Sequence, residues 1–458
     1  MKFWTIMLNR NILTFFTVLW TMTYFGQDQN SSPYTRFGIG EQVPMITSPY
    51  IGLGGSSVAL AKEGDLTQVR LAEFHHINVS NPATYASVLK HTPVFDCGVM
   101  GKASFMKSDK GTYNQTTVAL RNFALLLPVA KKTGVVFGLM PYSTTGYDIN
   151  EFDPNEGDTI TYNYAGMGSV NRLFIGAGQQ LINRGDSIRL SIGVNASFLF
   201  GTIQRDRKIE FQDATFYNSH VKNKLLIRGF SMDYGLHYYE RINKNISYQI
   251  GLTANLGNQV RAYQDFFAYT YTLNNIQEEE VSDTTNFYTD NRGHIKLPKS
   301  FAIGGAVTLK ERVTLTAQFE MADFQNYYEY FDSTETAYEE LAQMQKFAFG
   351  VNILPKKGMN FKDVHAIQLS SYQLGFHYGY TPYRSNDIHL KQYGIAFGIT
   401  MPMLSSTSTS SLSLGFELGK LGTTENGLIE DNYLKFNVGL SLSPNAKYDR
   451  WFWKRLYD

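Results

Sequence analysis

Residues 433–442, with the sequence YLKFNVGLSL, alternate strictly between polar and apolar side chains. Successive side chains of a β-strand point to opposite faces, so this period of two predicts a strand with one apolar and one polar face. The stretch has about the ten residues that a tilted strand needs to cross a bilayer. Its apolar face carries Leu434, Phe436, Val438, Leu440 and Leu442.

The same alternation recurs from about residue 94 onwards, most clearly at residues 188–198, 246–256, 313–321 and 411–419. The polar positions hold Ser, Thr, Asn, Gln and Gly rather than dense charge. We count about fourteen such strands, a number and length typical of outer-membrane barrels. The predicted fold class is therefore all-β, a transmembrane antiparallel β-barrel of about 14 strands at residues 93–443.

A soluble sandwich or a soluble barrel would alternate in the same way. Three features favour the membrane barrel. The strands are longer than the five or six residues common in soluble proteins, and a signal peptide precedes them. Aromatic residues also recur near strand ends, as in an interfacial girdle; examples are Tyr372, Phe376, Tyr378 and Tyr380.

The composition argues against several other classes of protein. The chain has 41 basic and 40 acidic residues, which leaves no basic excess for binding nucleic acid. The single Cys97 excludes an internal disulfide framework and argues against a thiolate metal site. An aromatic content of 14% is high, and together with 39 Gly it suits an outer-membrane barrel.

The N-terminus has the pattern of a targeting segment. Lys2 and Arg10 supply positive charge before the apolar run at residues 12–25. This run has the length of a signal-peptide core and is short for a membrane helix. We predict a signal peptide at residues 1–26, with an uncleaved N-terminal anchor as the alternative. The expected localisation is the outer membrane of a Gram-negative bacterium, where strands would hold the protein.

Residues 51–85 show neither a sustained strand alternation nor a long helical face. The stretch is glycine-rich at its start and closes on Asn81 and Pro82. Asn accepts local backbone hydrogen bonds and Pro fixes its own φ, so this pair predicts a turn or the start of a helix. We predict that residues 27–92 form an N-terminal plug, or hatch, inside the barrel.

The connections between strands have two lengths. Those at residues 185–186, 243–245 and 310–312 are tight, whereas those at residues 262–297 and 323–345 are long and polar. Outer-membrane barrels have short periplasmic turns and long outer loops, and the tight turns here all fall on the same side. The acidic run at residues 278–280 predicts a solvated loop face rather than a metal site.

The third strand, at residues 134–149, contains two unusual positions. Pro141 cannot donate a hydrogen bond to a ladder, and Gly146 adds a second flexible point. One interpretation is a harmless bulge near the barrel rim. The other is a lateral opening from the lumen to the membrane, with Pro141 and Gly146 as candidate gate residues.

The segments GLGGSSVALA at residues 52–61 and SNPATYA at residues 80–86, followed by about fourteen alternating strands, resemble the FadL-type long-chain fatty acid transporter superfamily, in a PorV/FadL-like branch. The resemblance implies that Asn81, Pro82 and Ala83 form the Asn-Pro-Ala motif of the hatch. It also implies an inward kink in the third strand that makes a lateral exit. The family's ligand-contacting basic residues have no matched positions here.

Residues 444–458 continue beyond the last strand, whereas bacterial barrels usually end at an aromatic residue that closes it. We predict a periplasmic tail. Its aromatic and basic side chains suit an interface and are candidate docking residues for a partner; they are Trp451, Phe452, Trp453, Lys454 and Arg455. The alternative is a cap that folds back on the barrel mouth.

No catalytic constellation, cofactor site or metal site is predicted. His75 and His76 are adjacent in an irregular segment, where both side chains rarely point at one ion. The first functional hypothesis is uptake of a hydrophobic, fatty-acid-like small molecule through a plugged lumen and a lateral opening, with outer-membrane lipid around it. The alternative is a non-transporting accessory or scaffold subunit of an outer-membrane secretion or assembly complex, bound to an outer-membrane or periplasmic protein. Neither hypothesis involves nucleic acid.

Overall fold

The computed structural model describes residues 32–61, 76–88, 92–109, 111–130, 132–155, 158–184, 187–213, 215–274, 276, 278–332, 334–355, 366–385, 387–403 and 410–443. The predicted signal peptide at residues 1–26 and the predicted tail at residues 444–458 lie outside them. The described residues form nineteen strands and five short 3-10 helices. None of these helices is long and apolar enough to span a membrane.

The strands in chain order are β1 (Glu41–Gln42), β2 (Val94–Ser108), β3 (Gly111–Ala130), β4 (Thr133–Asn155), β5 (Asp158–Asn183), β6 (Ile188–Phe211), β7 (Asn218–Asn243), β8 (Ile246–Asn255), β9 (Gln259–Leu273), β10 (Glu279–Lys296), β11 (Lys299–Leu309), β12 (Val313–Asp323), β13 (Tyr328–Phe331), β14 (Thr334–Ala337), β15 (Gln343–Ile353), β16 (Ser371–Ser385), β17 (Ile388–Pro402), β18 (Ser411–Leu421) and β19 (Glu430–Leu442). The 3-10 helices are Pro33–Arg36, Ser48–Leu53, Pro82–Ser87, Ala366–Leu369 and Glu425–Gly427.

Fourteen of the strands, β2 to β8, β11, β12 and β15 to β19, form one closed antiparallel barrel. β8 pairs with β11, and β12 pairs with β15. The strands β9, β10, β13 and β14 of the two long connections are therefore not part of the 14-stranded wall. The last strand closes on the first, with Leu442 opposite Phe95 and Glu430 opposite Lys107. Closure satisfies the backbone of both terminal strands, as lipid requires. The prediction of an all-β, antiparallel barrel of about 14 strands is confirmed.

The two long connections contain strands that the sequence reasoning did not predict. β9 pairs with the part of β7 that continues beyond β8, and β10 pairs with β9. The β13–β14 hairpin in turn pairs with β10. Both connections are rich in Tyr and Phe, which favour strands and stabilise them by cross-strand contact. Phe266 and Tyr288, for example, stack with ring centroids 5.1 Å apart.

The two faces of each barrel strand differ as the alternation predicts. On β7, Ser231 and His237 are buried on the inner face. Phe230 and Met232, on the outer face, are 66% and 51% exposed, as expected of side chains that contact lipid. The wall therefore encloses a polar lumen.

The lumen is occupied by the chain's own N-terminal part. Residues 32–61 and 76–88, called the N-terminal segment below, approach glycines on well-separated strands of the wall. These include Gly235 on β7, Gly375 on β16 and Gly439 on β19. Contact with strands from opposite parts of the wall means that the segment lies inside the barrel.

Candidate functional site

Asn81 joins three parts of the barrel interior. Its side-chain oxygen accepts a hydrogen bond from Ala83 N–H (3.0 Å) and so caps the 3-10 helix Pro82–Ser87. Its side-chain nitrogen donates to the carbonyls of Val58 (2.9 Å) and Leu236 (3.0 Å). Pro82 sits at the first helical position, where its missing N–H has no cost. The Asn-Pro pair therefore starts a helix, as the sequence suggested, and also anchors it to β7.

Glycines of the wall allow this helix to approach the strands at backbone distance. A Cβ added at Gly193 would lie 2.3 Å from Pro82 C, and one at Gly235 would lie 2.2 Å from Asn81 Oδ1. The helix Ser48–Leu53 makes the same kind of contact elsewhere, since a Cβ at Gly439 would lie 2.3 Å from Ser48 Cβ. Close steric packing against the wall glycines thus holds the N-terminal segment in place, in addition to hydrogen bonds.

The N-terminal segment packs against the end of the barrel that carries the long connections. Tyr34, Phe37 and Ile39 pack in one buried apolar cluster with residues of the wall and of the connection at residues 324–341. Arg205 of β6 links these parts: it pairs with Glu329 (Nη2 to Oε1, 3.0 Å) and donates to the Gly38 carbonyl. Apolar packing and a mostly buried ion pair therefore join the N-terminal segment to the wall and to the long connection at this mouth.

At least two cavities border the N-terminal segment. One, of about 250 Å³, is lined by charged side chains that include Arg121, Arg172, Glu417 and Lys435. A second, of about 170 Å³, lies towards the tight turns and is lined in part by Tyr50, Leu60, His76 and Arg241.

Two buried arginines border the larger cavity. Arg121 Nε donates to the Ile46 carbonyl (3.0 Å), and the Arg172 guanidinium lies 4.6 Å from the centroid of the Tyr142 ring. No carboxylate in the described part of the chain pairs with either arginine. Sequence reasoning missed both residues, although an arginine in the middle of a strand that has almost no other charge is a signal that could have found them.

The wall is discontinuous between β3 and β4. Their ladder runs from Ala130–Thr133 only as far as Phe123–Leu139. Beyond Leu139, the β4 edge pairs instead with the N-terminal segment: Glu41 and Gln42 of β1 lie opposite Thr144 and Ser143. We call this region, where β4 leaves β3 and pairs with β1, the seam.

Pro141 and Gly146 both lie on β4 at the seam. The pairing of β4 with β5 shifts register between Pro141 and Ser143, which is the bulge that a proline in a central strand requires. Gly146 N–H donates to Thr35 Oγ1 (3.0 Å), and its carbonyl accepts from Ser32 N–H (3.2 Å). The two predicted gate residues therefore flank the β4 edge that the N-terminal segment covers.

A model of the BamG family matches residues 7–458. The chain belongs to the BamG family. No curated protein gave a match.

Solved structures share the fold of this BamG-family barrel. The monoaromatic hydrocarbon channel CymD aligns with a TM-score of 0.51 at 11% identity, over 88% of this chain and 99% of its own. A FadL homologue from Pseudomonas aeruginosa gives 0.51 at 10%, and the Pseudomonas putida toluene transporter TodX gives 0.52 at 12%, both with the same coverage. The predicted FadL-type resemblance is confirmed as one of fold.

A polar cluster fixes the second half of the N-terminal segment of this BamG-family barrel. His76 Nδ1 lies 3.1 Å from Ser441 Oγ, which donates to Asp96 Oδ2 (2.6 Å). Desolvation lowers the pKa of His76 to about 3, so the ring is neutral. The Ser441 hydroxyl donates to the Asp96 carboxylate rather than to the imidazole. The role of the cluster is to join the segment to the β2–β19 closure.

Other predicted site residues fall elsewhere in the BamG-family chain. Asn81, Pro82 and Ala83 are buried in the barrel interior. The docking candidates at residues 451–455 lie outside the described residues, as does His75. The described residues contain no group of three or more His, Cys, Asp or Glu that could hold a metal ion.

Proposed function

We propose that this protein is an outer-membrane, FadL-like barrel that takes up hydrophobic small molecules through its plugged lumen and releases them into the membrane at the seam. The observation that carries the proposal is the seam itself, where β4 leaves β3 above Leu139 and its edge is held by the N-terminal segment. The solved structures with this fold include a toluene transporter and a monoaromatic hydrocarbon channel. A Gram-negative outer membrane is the matching location.

The energetics allow the seam to open without unfolding of the barrel. The β4 edge is held by the short β1 pairing and by bonds such as Val43 N–H to the Tyr142 carbonyl (2.9 Å). A protein hydrogen bond contributes about 0.5–1.5 kcal/mol net, so releasing a few of them requires only a few kcal/mol. Transfer of an apolar ligand to lipid supplies about 25 cal/mol per Å² of buried apolar surface. A shift between two conformations is therefore sufficient.

A disulfide across the seam tests this proposal. Gln42 and Ser143 are register partners, and directly opposite residues of an antiparallel pair lie about 4.5–5.5 Å apart at Cα, within disulfide range. Gln42→Cys with Ser143→Cys, in a Cys97→Ser background, should stop uptake of N-phenyl-1-naphthylamine by cells when oxidised. The fluorescence rise of this probe reports its arrival in the membrane, and reductant should restore it.

The matched control is a disulfide within the continuous wall. Leu412 and Leu440 are register partners on β18 and β19, so Leu412→Cys with Leu440→Cys should leave uptake unchanged in both redox states. Uptake that persists in the oxidised seam variant would reject the lateral route. Equal uptake by cells with and without the protein would reject transport of this class of molecule altogether.

A second candidate function is that of a non-transporting scaffold subunit in an outer-membrane secretion or assembly complex. The observation that favours it is the close packing of the N-terminal segment on wall glycines, together with its apolar packing against the connection at residues 324–341. Native mass spectrometry after gentle extraction distinguishes the two functions. A stable assembly that is lost when residues 444–458 are deleted would favour the scaffold, whereas a single chain with a small adduct would favour transport.

A further inference from the structure

The outer face of β7 locates the lipid boundary on one side of the barrel. Phe230, Met232, Tyr234 and Leu236 occupy alternate outward positions and are 66%, 51%, 43% and 37% exposed. Their exposure in the isolated chain is what lipid contact requires of apolar side chains. The band ends at Phe230 on the side of the long connections, because the next outward residue, Arg228, is charged.

Arg228 has a second arginine beside it. The register of β7 with β9 places Arg261 directly opposite Arg228, and both side chains are exposed. Side chains directly opposite on one face have Cβ atoms about 4.5–5.5 Å apart, and like charges at this distance repel. His294 of β10 lies opposite Arg261 in turn. A row of basic side chains thus runs across three strands along the edge of the apolar band.

In the described part of the chain, no carboxylate forms an ion pair with Arg228 or Arg261. The neighbouring lysines have carboxylates opposite them in the register of the sheet, since Lys224 lies opposite Asp265 and Lys222 lies opposite Asp206. The electrostatic repulsion between the two arginines is therefore not compensated by an ion pair in the described part of the chain, and an external anion bound between them would reduce it.

We propose that Arg228 and Arg261 together bind the phosphate of an anionic lipid headgroup, in the leaflet on the side of the long connections. The planar guanidinium matches phosphate geometry and binds it in a bidentate manner. The apolar band that begins at Phe230 provides a surface for the acyl chains of the same molecule, which a free phosphate ion would not use. This site lies on the outer wall and is separate from the lumen and the seam, so it is independent of the uptake proposal.

The test compares lipid retention by two double variants with the same change of charge. The full chain is reconstituted in nanodiscs of phosphatidylcholine mixed with phosphatidylglycerol, and retained lipids are counted by native mass spectrometry. Arg228→Gln with Arg261→Gln should lower the retention of phosphatidylglycerol about tenfold, in line with the contribution of basic side chains at an anionic surface. Lys222→Gln with Lys224→Gln should retain it like the wild type.

Three outcomes would overturn the proposal. They are unchanged retention in the arginine variant, equal loss in the lysine variant, and displacement of the lipid by inorganic phosphate at matched ionic strength. The last outcome would identify a site for a free anion instead of a headgroup. Heat-modifiable mobility in gels, which reports a folded barrel, is measured for each variant, so that loss of folding is not mistaken for loss of binding.

Discussion

At the scale of single residues, the packing of the N-terminal segment depends on the absence of a side chain at the inward glycines. Gly235→Val would place Cβ 2.2 Å from Asn81 Oδ1 and 2.8 Å from Pro82 Cδ. We expect the helix Pro82–Ser87 to be displaced, at about the 1–3 kcal/mol typical of overpacking. Limited proteolysis should then cut the N-terminal segment faster than in the wild type.

Gly305→Val is the matched control for this substitution. A Cβ at Gly305 meets nothing within 4 Å, so the same change of residue on another strand of the wall should leave the proteolytic pattern unaltered. Similar cleavage rates in the two variants would contradict the role that we assign to close packing at Gly235.

His76 makes the attachment of the N-terminal segment sensitive to pH. Its pKa falls from an ordinary value of 6.5 to about 3 when the ring is desolvated against Ser441. The detached segment therefore binds more protons between these two values, and attachment weakens by up to about 1.4 kcal/mol per pH unit as pH falls through that window. Proteolysis of the segment should accelerate from pH 7 to pH 4.5, and His76→Gln should reduce this dependence. An equal pH dependence in the variant would show that other groups cause it.

At the scale of elements, the β13–β14 hairpin depends on one ion pair. Glu329 is mostly buried, accepts from Tyr327 OH (2.9 Å) and pairs with Arg205. Removal of one partner of a buried pair costs about 3–5 kcal/mol because the other charge stays uncompensated. Glu329→Ala should therefore raise hydrogen exchange across residues 328–337. Glu335 is an exposed position on the same hairpin, so Glu335→Ala should leave hydrogen exchange unchanged. Equal exchange in the two variants would contradict a stabilising role of the Glu329–Arg205 ion pair.

Some elements of the fold could be predicted from the sequence, whereas others could not. The alternation of residues 433–442 defined both faces of β19 because successive side chains of a strand point to opposite faces. Pro141 marked its bulge because a proline cannot donate a hydrogen bond to a ladder. The strands β9 and β10 escaped prediction since their polar, bulged pairing lacks that period. Arg228 and Arg261 escaped because only the register of the sheet brings them together.

At the scale of the whole molecule, the width of the barrel determines whether its own side chains can fill the lumen. Barrels of eight strands are filled by their own side chains, whereas barrels of sixteen to eighteen strands leave an aqueous channel. With fourteen strands, this barrel falls between these two sizes, and the described N-terminal segment occupies part of the lumen beside cavities of about 250 and 170 Å³. We expect the wild type to show little steady conductance in planar bilayers.

Deletion of residues 32–88 should convert this barrel into an open pore with a large, steady conductance. The lumen of a 14-stranded wall is too wide to be filled by the side chains of the wall alone. Heat-modifiable mobility in gels would verify that the deleted chain still folds. A second variant avoids the deletion: Gly235→Val with Gly375→Val displaces the segment at two well-separated strands, since a Cβ at Gly375 would lie 2.2 Å from Gly54 N. It should raise conductance in part, whereas Gly305→Val should not. Folded deletion and double variants that conduct no better than the wild type would mean that the wall, and not the N-terminal segment, closes the lumen.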